Sequence, residues 1–119
     1  MSKVVKFGGS SLADAKQFRK VADIIHADPE RKYVVPSAPG KRFKEDTKVT
    51  DMLYRCYDEV AVQGKDFTEA FAPIRERYNG IISDLGLTLN LDEEFAKIGE
   101  NFKAAVGSVY AASRGEYLN

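Results

Sequence analysis

A strand, a helix and a second strand follow one another in the first 36 residues, and this order constrains the fold more than any other feature. Apolar residues predict one strand at 3–7 and another at 32–35, and the second is expected to end before Pro36. Between them, residues 12–27 repeat apolar side chains at the spacing of one helix face. A helical crossover makes two strands parallel neighbours, so the sequence predicts an α/β fold.

The rest of the chain is predicted to be helical, after a charged loop. The apolar positions of three amphipathic patterns span residues 52–60, 71–85 and 95–109. Ser11 followed by Asp14 resembles a capping box at the start of the first helix, and Asp92 is suited to cap the last helix.

Two parallel strands are a very small sheet for four amphipathic helices. We therefore expect residues 1–119 to be the N-terminal part of a longer catalytic domain, with apolar faces that other parts of the protein cover. The alternative is a small helical domain that packs its own helices together.

Composition excludes several classes of protein. Lysine and arginine total 18, equal to aspartate and glutamate, which argues against a nucleic-acid-binding protein. No apolar run approaches the length of a membrane span or of a secretory signal, so no membrane partner is expected. The single cysteine, Cys56, excludes an internal disulfide and a cysteine-cluster metal site, which fits a cytoplasmic protein.

The first strand ends in a feature that suits an anion. Gly8 and Gly9 remove side chains where the strand turns into a helix, and the next backbone N–H groups belong to a helix N-terminus. Lys6 could add a full positive charge to the same pocket, and this combination suits phosphate. The pattern is neither a P-loop nor a dinucleotide fingerprint. The plain alternative is a tight turn beside a solvated lysine.

A second polar cluster follows the second strand. Ser37, Gly40 and Lys41 come directly after it, and Thr50 and Asp51 lie a short loop further on. Ligands of parallel α/β sheets bind outside the carboxyl ends of the strands, where both clusters fall. Thr50 is equally suited to cap the next helix. The charged loop itself is better explained as solvated than as a lid over nucleotide.

Three segments together resemble the N-terminal catalytic region of the aspartate kinases, which belong to the amino-acid kinase family. They are "VKFGGSSL", "VVPSAPGK…TKVTDML" and "SRGEYLN", and their order spans essentially the whole chain. Pro36 departs from the family, which usually carries an aliphatic residue there. Because proline lacks an N–H group, we expect the second strand to end early and Ser37 to be repositioned.

The resemblance implies a three-layer αβα amino-acid-kinase fold, of which residues 1–119 form the N-terminal part. It also implies transfer of the γ-phosphoryl group of ATP to the side-chain carboxylate of L-aspartate, with Mg²⁺ as cofactor, in a homo-oligomeric enzyme. The family pattern assigns phosphate binding to Lys6, Gly8, Gly9, Ser10 and Ser37, and aspartate binding to Thr50 and Glu116. Lys6 would neutralise charge on the transferring group, and Glu116 would pair with the α-ammonium group of aspartate.

Further expectations concern what lies elsewhere and which alternatives stay open. By resemblance, the adenine-binding half and the metal-coordinating segment lie beyond Asn119, so residues 1–119 alone are expected to be inactive. Another member of the amino-acid kinase family would differ in its phosphoryl acceptor. A non-catalytic, helical anion-binding domain would instead unfold cooperatively as a compact monomer.

Overall fold

The backbone elements alternate in the predicted order, with a helical half after the second strand. The computed structural model describes the backbone of residues 1–112 and the side chains of residues 1–102. The elements are β1 (Lys3–Phe7), a 3₁₀ turn (Gly9–Leu12), α1 (Ala15–His26), β2 (Arg31–Pro36), α2 (Val49–Ala61), α3 (Phe67–Asp84) and α4 (Asp92–Ala112). The predicted helices are therefore all present, with shifted ends.

The two strands pair in parallel, as predicted, with Lys6 beside Val35 and Phe7 beside Pro36. The expectation that β2 ends before Pro36 is wrong. The N–H group of Ser37 donates to the carbonyl of Phe7 at 3.0 Å. Because successive N–H groups of a strand point to opposite sides, the nitrogen of Pro36 is directed away from β1. The proline thus costs this pair no hydrogen bond.

Helix α1 begins three residues later than the sequence pattern predicts. Its N-cap is Asp14, whose side chain accepts the N–H group of Gln17 at 3.0 Å. The predicted capping box starting at Ser11 is wrong, because Ser11 lies in the 3₁₀ turn that connects β1 to α1. The strand thus leads into one tight turn before the long helix.

The ends of the later helices also differ from the predictions. Thr50 lies inside the first turn of α2, because that helix begins at Val49 with Lys48 as its N-cap. Asp92 is the first residue of α4, and its own N–H group donates to the Asn90 side chain. Neither Thr50 nor Asp92 is therefore the capping residue.

Apolar side chains form two cores. The smaller packs α1 and the 3₁₀ turn onto one face of the sheet, around Phe7, Leu12 and Val21. The larger joins the three later helices, and its buried members are Val49, Cys56, Ala70, Phe71, Ile74 and Phe95. The helical half is thus held by its own core, and α3 also contacts α1.

The opposite face of the sheet is open. Strand alternation and register put Val4, Lys6, Tyr33 and Val35 on this face, away from buried Phe7. Val4 is 69% exposed, Tyr33 60% and Val35 48%. Of the three layers of an αβα fold, the described residues therefore show the sheet and helical cover on one of its faces, where α1 packs. None of their helices is both long enough and apolar enough to cross a bilayer.

Candidate functional site

A cleft of about 480 Å³ opens at the carboxyl ends of the two strands. Its lining consists of Gly9, Ser10, Ser37, Ala38, Pro39, Gly40, Lys41, Lys48 and Thr50. The chain segments that follow β1 and β2 and the N-terminus of α2 meet here. Four of the residues assigned to the site from the sequence, Gly9, Ser10, Ser37 and Thr50, thus lie around a single cavity.

The turn after β1 presents unpaired backbone donors. The N–H groups of Gly8, Gly9 and Ser10 have no hydrogen-bond acceptor among the described residues. They belong to a short 3₁₀ turn rather than to the N-terminus of α1, where Asp14 accepts a backbone donor. The turn therefore offers hydrogen bonds to an anion without the dipole of a long helix behind them.

Two glycines allow the walls of the cleft to touch. The N–H group of Gly40 donates to the carbonyl of Gly9 at 2.7 Å. A Cβ atom on Gly40 would lie 2.6 Å from the carbonyl carbon of Gly9, and one on Gly9 would lie 3.0 Å from the Ala38 oxygen. Position 40 therefore needs glycine because of close backbone approach. A Cβ atom on Gly9 would require its neighbour to move by a few tenths of an ångström, and one on Gly8 would meet nothing within 4 Å.

Lys6 lies on the open face of the sheet and is exposed. It precedes the glycine turn by one residue, but it is not among the residues that line the cleft. The structure therefore brings the glycine turn after β1 together with the polar residues after β2 around one cleft. The Lys6 amine is not part of the cleft lining. Its part in phosphoryl transfer stays a prediction.

Positive charge reaches the cleft from the loop before α2. Lys41 and Lys48 both line it, and Lys48 and Thr50 stand at the N-terminus of α2, the positive end of that helix. The sequence interpretation of a solvated loop missed Lys48, since nothing in a charged run indicates which lysine lines the cleft. No carboxylate belongs to the described lining.

An ion cluster lies behind the cleft. The Arg42 guanidinium donates two hydrogen bonds to the Asp46 carboxylate, at 2.6 and 2.9 Å. This pairing holds the pKa of Asp46 well below its ordinary value. Buried Arg77 also approaches Asp46, at 3.5 Å. Burial lowers the pKa of Arg77. Sequence reasoning missed this arginine, because one charge within an amphipathic helix pattern is normally solvent-exposed.

Two other predicted features complete the account. Cys56 is buried in the helical core, and burial raises the pKa of its thiol, as expected for a structural cysteine. Glu116, assigned to aspartate binding from the sequence, lies outside the described residues. Within the described part of the chain, no group of three histidine, cysteine, aspartate or glutamate side chains could hold a metal ion.

Comparison with known proteins identifies close relatives. The model of the amino acid kinase family matches residues 1–118. The chain is 48% identical to Aspartokinase 3 of Bacillus subtilis over 92 residues, which are 77% of this chain and 20% of that protein. It is 31% identical over 117 residues to the chloroplastic bifunctional aspartokinase/homoserine dehydrogenase 1 of Zea mays, covering 94% of this chain and 12% of that protein.

A solved structure of an aspartate kinase shares the fold of this chain. The crystal structure of Clostridium acetobutylicum aspartate kinase matches with a TM-score of 0.79 and 47% identity, over 96% of this chain and 26% of that one. The chain thus spans only 12% to 26% of the length of these relatives. The predicted α/β fold is confirmed as the N-terminal part of an amino-acid-kinase fold. On the family match over nearly its whole length, the chain belongs to the amino acid kinase family.

Proposed function

We propose that this chain is part of an aspartate kinase, which transfers the γ-phosphoryl group of ATP to the side-chain carboxylate of L-aspartate and forms 4-phospho-L-aspartate. The observation that carries the proposal is the cleft at the strand ends. It joins unpaired backbone N–H groups to two lysines in a chain that is 47–48% identical to two aspartate kinases. A phosphate chain needs this combination of directional donors and positive charge.

The chemistry asks for positioning and charge stabilisation. The nucleophile, an ionised carboxylate, needs no general base, so the enzyme must bring two anions together and stabilise the phosphoryl oxygens. We assign this work to the N–H groups of Gly8, Gly9 and Ser10, to Ser37, and to the Lys6 ammonium. Lys41 and Lys48, which are among the residues that line the cleft, also support phosphate binding there.

Aspartate would bind at the α2 side of the cleft. Thr50 lies there, in the first turn of the helix, where its hydroxyl is available to a carboxylate. By family resemblance, Glu116 pairs with the substrate α-ammonium group. This assignment gives the α2 side of the cavity to aspartate through Thr50, and the turn after β1 to the phosphates of ATP.

The described residues fit the phosphates of ATP better than they fit Mg²⁺. Phosphate oxygens accept hydrogen bonds from N–H groups and lysines, which the cleft supplies, whereas Mg²⁺ requires oxygen ligands such as carboxylates. The described lining has hydroxyl groups but no carboxylate. If Mg²⁺ accompanies ATP, it would neutralise phosphate charge, and its protein ligands would come from other parts of the enzyme.

The wider organisation follows from the same proposal. We propose that residues 1–119 are the N-terminal part of a larger catalytic domain, which the open sheet face and the partial coverage of the relatives support. A cytoplasmic location and a homo-oligomeric enzyme are proposed from family resemblance.

The test is an acceptor comparison with the complete protein. ATP is supplied with L-aspartate, L-glutamate or N-acetyl-L-glutamate, and hydroxylamine traps any acyl phosphate as a hydroxamate. We expect product with L-aspartate at a rate well above that with the other acceptors. A preference for another acceptor would identify a different amino-acid kinase. ATP and aspartate binding without any acyl phosphate would favour a non-catalytic domain.

A further inference from the structure

One buried arginine of α3 contacts three separate connections of the chain. Arg77 is only 5% exposed. Its guanidinium donates to the carbonyl of Thr47 at 3.1 Å, to that of Ala13 at 3.0 Å and to that of Gly40. These carbonyls are far from α3 in sequence, at separations of 30, 64 and 37 residues.

Each of these carbonyls lies at or beside a wall of the cleft. Gly40 itself lines the cleft, Thr47 directly precedes Lys48, and Ala13 directly follows the 3₁₀ turn that carries Gly9 and Ser10. Arg77 does not line the cleft. Its guanidinium therefore acts from behind, where it ties the turn after β1, the loop after β2 and the N-terminus of α2 to one rigid group.

The geometry uses properties that only arginine has. A planar guanidinium presents N–H groups in a fixed fork, so it can serve several acceptors in different directions at once. Its two terminal nitrogens make all three carbonyl contacts and the approach to Asp46, whose charge partly balances the buried cation. The Asp46 carboxylate is in turn held by Arg42.

We propose that Arg77 is a positioning residue, whose guanidinium fixes the relative places of the cleft walls so that Gly9, Ser10 and Lys48 meet one phosphate chain. This inference rests on the proposed function for its catalytic consequence. Displacements of about 1 Å in such groups can lower turnover on the order of 10²-fold, even when the altered residue lies far from the chemistry.

The experiment compares Arg77→Lys with Arg75→Lys in the complete protein. Both replace an arginine of α3, but Arg75 is exposed and pairs with Asp92, away from the cleft. We expect Arg77→Lys to lower kcat at least tenfold and to raise KM for ATP severalfold, and Arg75→Lys to keep both. Circular dichroism and assays well below the melting temperature ensure that each variant is fully folded.

The combined change in kcat and KM separates positioning from a loss of folded protein. A variant that is merely unstable loses apparent kcat in proportion to its folded fraction and keeps KM for ATP. Wild-type kcat and KM in Arg77→Lys, or a lower melting temperature alone, would overturn the proposal.

Hydrogen exchange tests the same idea without any reaction. In Arg77→Lys, faster exchange is expected together at the hydrogen-bonded amides of segments 8–14 and 37–50, such as Ser11 and Gly40, with α1 unchanged. If Arg77→Lys does not fold, hydrogen exchange is measured on the wild type instead. A shared tie to Arg77 predicts that the two segments open together, with the same free energy of opening, and unequal values refute the proposal. If the wild type has no aspartate kinase activity, the proposed function fails, while exchange still decides whether Arg77 joins the segments.

Discussion

At the scale of single residues, the position of Lys6 in the structure does not match the role that its charge suggests. It stands near the start of "VKFGGSSL", one of the three segments that carry the family resemblance, yet it lies on the open sheet face and outside the cleft lining. If its ammonium neutralises the transferring phosphoryl group, Lys6→Met in the complete enzyme should lose about 10²–10³-fold in kcat, with a much smaller change in KM for aspartate. Steady-state kinetics measure both quantities, and near-normal kcat would refute the role.

Gly40 tests the close approach of the two loops. Its missing Cβ atom leaves room for the Gly9 backbone, so Gly40→Ala should destabilise the protein by about 1–3 kcal/mol, because backbone must move. Gly80→Ala is the matched control. A Cβ atom there meets nothing within 4 Å, and alanine favours a helix by about 1 kcal/mol. Thermal unfolding should show a lower midpoint for the first variant only, and equal midpoints would contradict the observed contact.

Asp46 gives a prediction for the effect of pH on stability. Arg42 depresses the carboxyl pKa in the folded protein below the ordinary value of 3.8. A depressed folded pKa means that the stabilisation is present above about pH 4 and is lost as pH falls through the folded value. The difference in melting temperature between wild type and Asp46→Asn should therefore be largest above pH 5 and shrink below pH 4. A difference independent of pH would argue against this ion pair.

At the scale of elements, the sequence pattern and the structure name different capping residues at the start of α1, Ser11 and Asp14. Asp14 accepts a hydrogen bond from the first turn, so Asp14→Ala should cost about 1 kcal/mol of stability. Ser11→Ala, at the position that the pattern indicated as the cap, should change little. Unfolding midpoints of the complete protein decide the matter, and a larger loss for Ser11→Ala would restore the predicted capping box.

Local sequence signals predicted the helices, the strands and the strand pairing. They did not predict the contacts between loops. The βαβ order, the parallel pairing and the three later helices followed from apolar periodicity and from the crossover rule. The continuation of β2 through Pro36 and the contact between Gly9 and Gly40 did not, because each depends on partners distant in sequence. The 3₁₀ turn is closed by a local hydrogen bond from Ser11 to Gly8, but the apolar pattern did not separate it from the helix that follows.

The residues of the candidate site also fall into those that the sequence predicted and those that it did not. Glycines and hydroxyls at strand ends predicted Gly9, Ser10, Ser37 and Thr50, which line one cleft. The position of Lys48 in the cleft lining depends on the path of a loop, which no local pattern encodes.

At the scale of the whole molecule, the open sheet face determines what the isolated segment can do. Val4, Tyr33 and Val35 expose apolar surface that an αβα fold covers with a third layer, and the sheet pairs only two strands within the described residues. A polypeptide of residues 1–119 should therefore bind a hydrophobic dye or associate in solution, as dye fluorescence and light scattering would show.

Catalysis should fail in the same polypeptide, for a related reason. The cleft supplies donors for phosphate, but its described lining contains neither carboxylate ligands for Mg²⁺ nor aromatic side chains to stack on adenine. In the hydroxylamine assay with ATP and L-aspartate, we expect no hydroxamate above background, whereas the complete protein should give a strong signal. Because the phosphate site would remain largely formed, weak binding of tripolyphosphate should persist. Robust acyl phosphate formation by the isolated polypeptide would mean that these residues alone provide the whole catalytic apparatus.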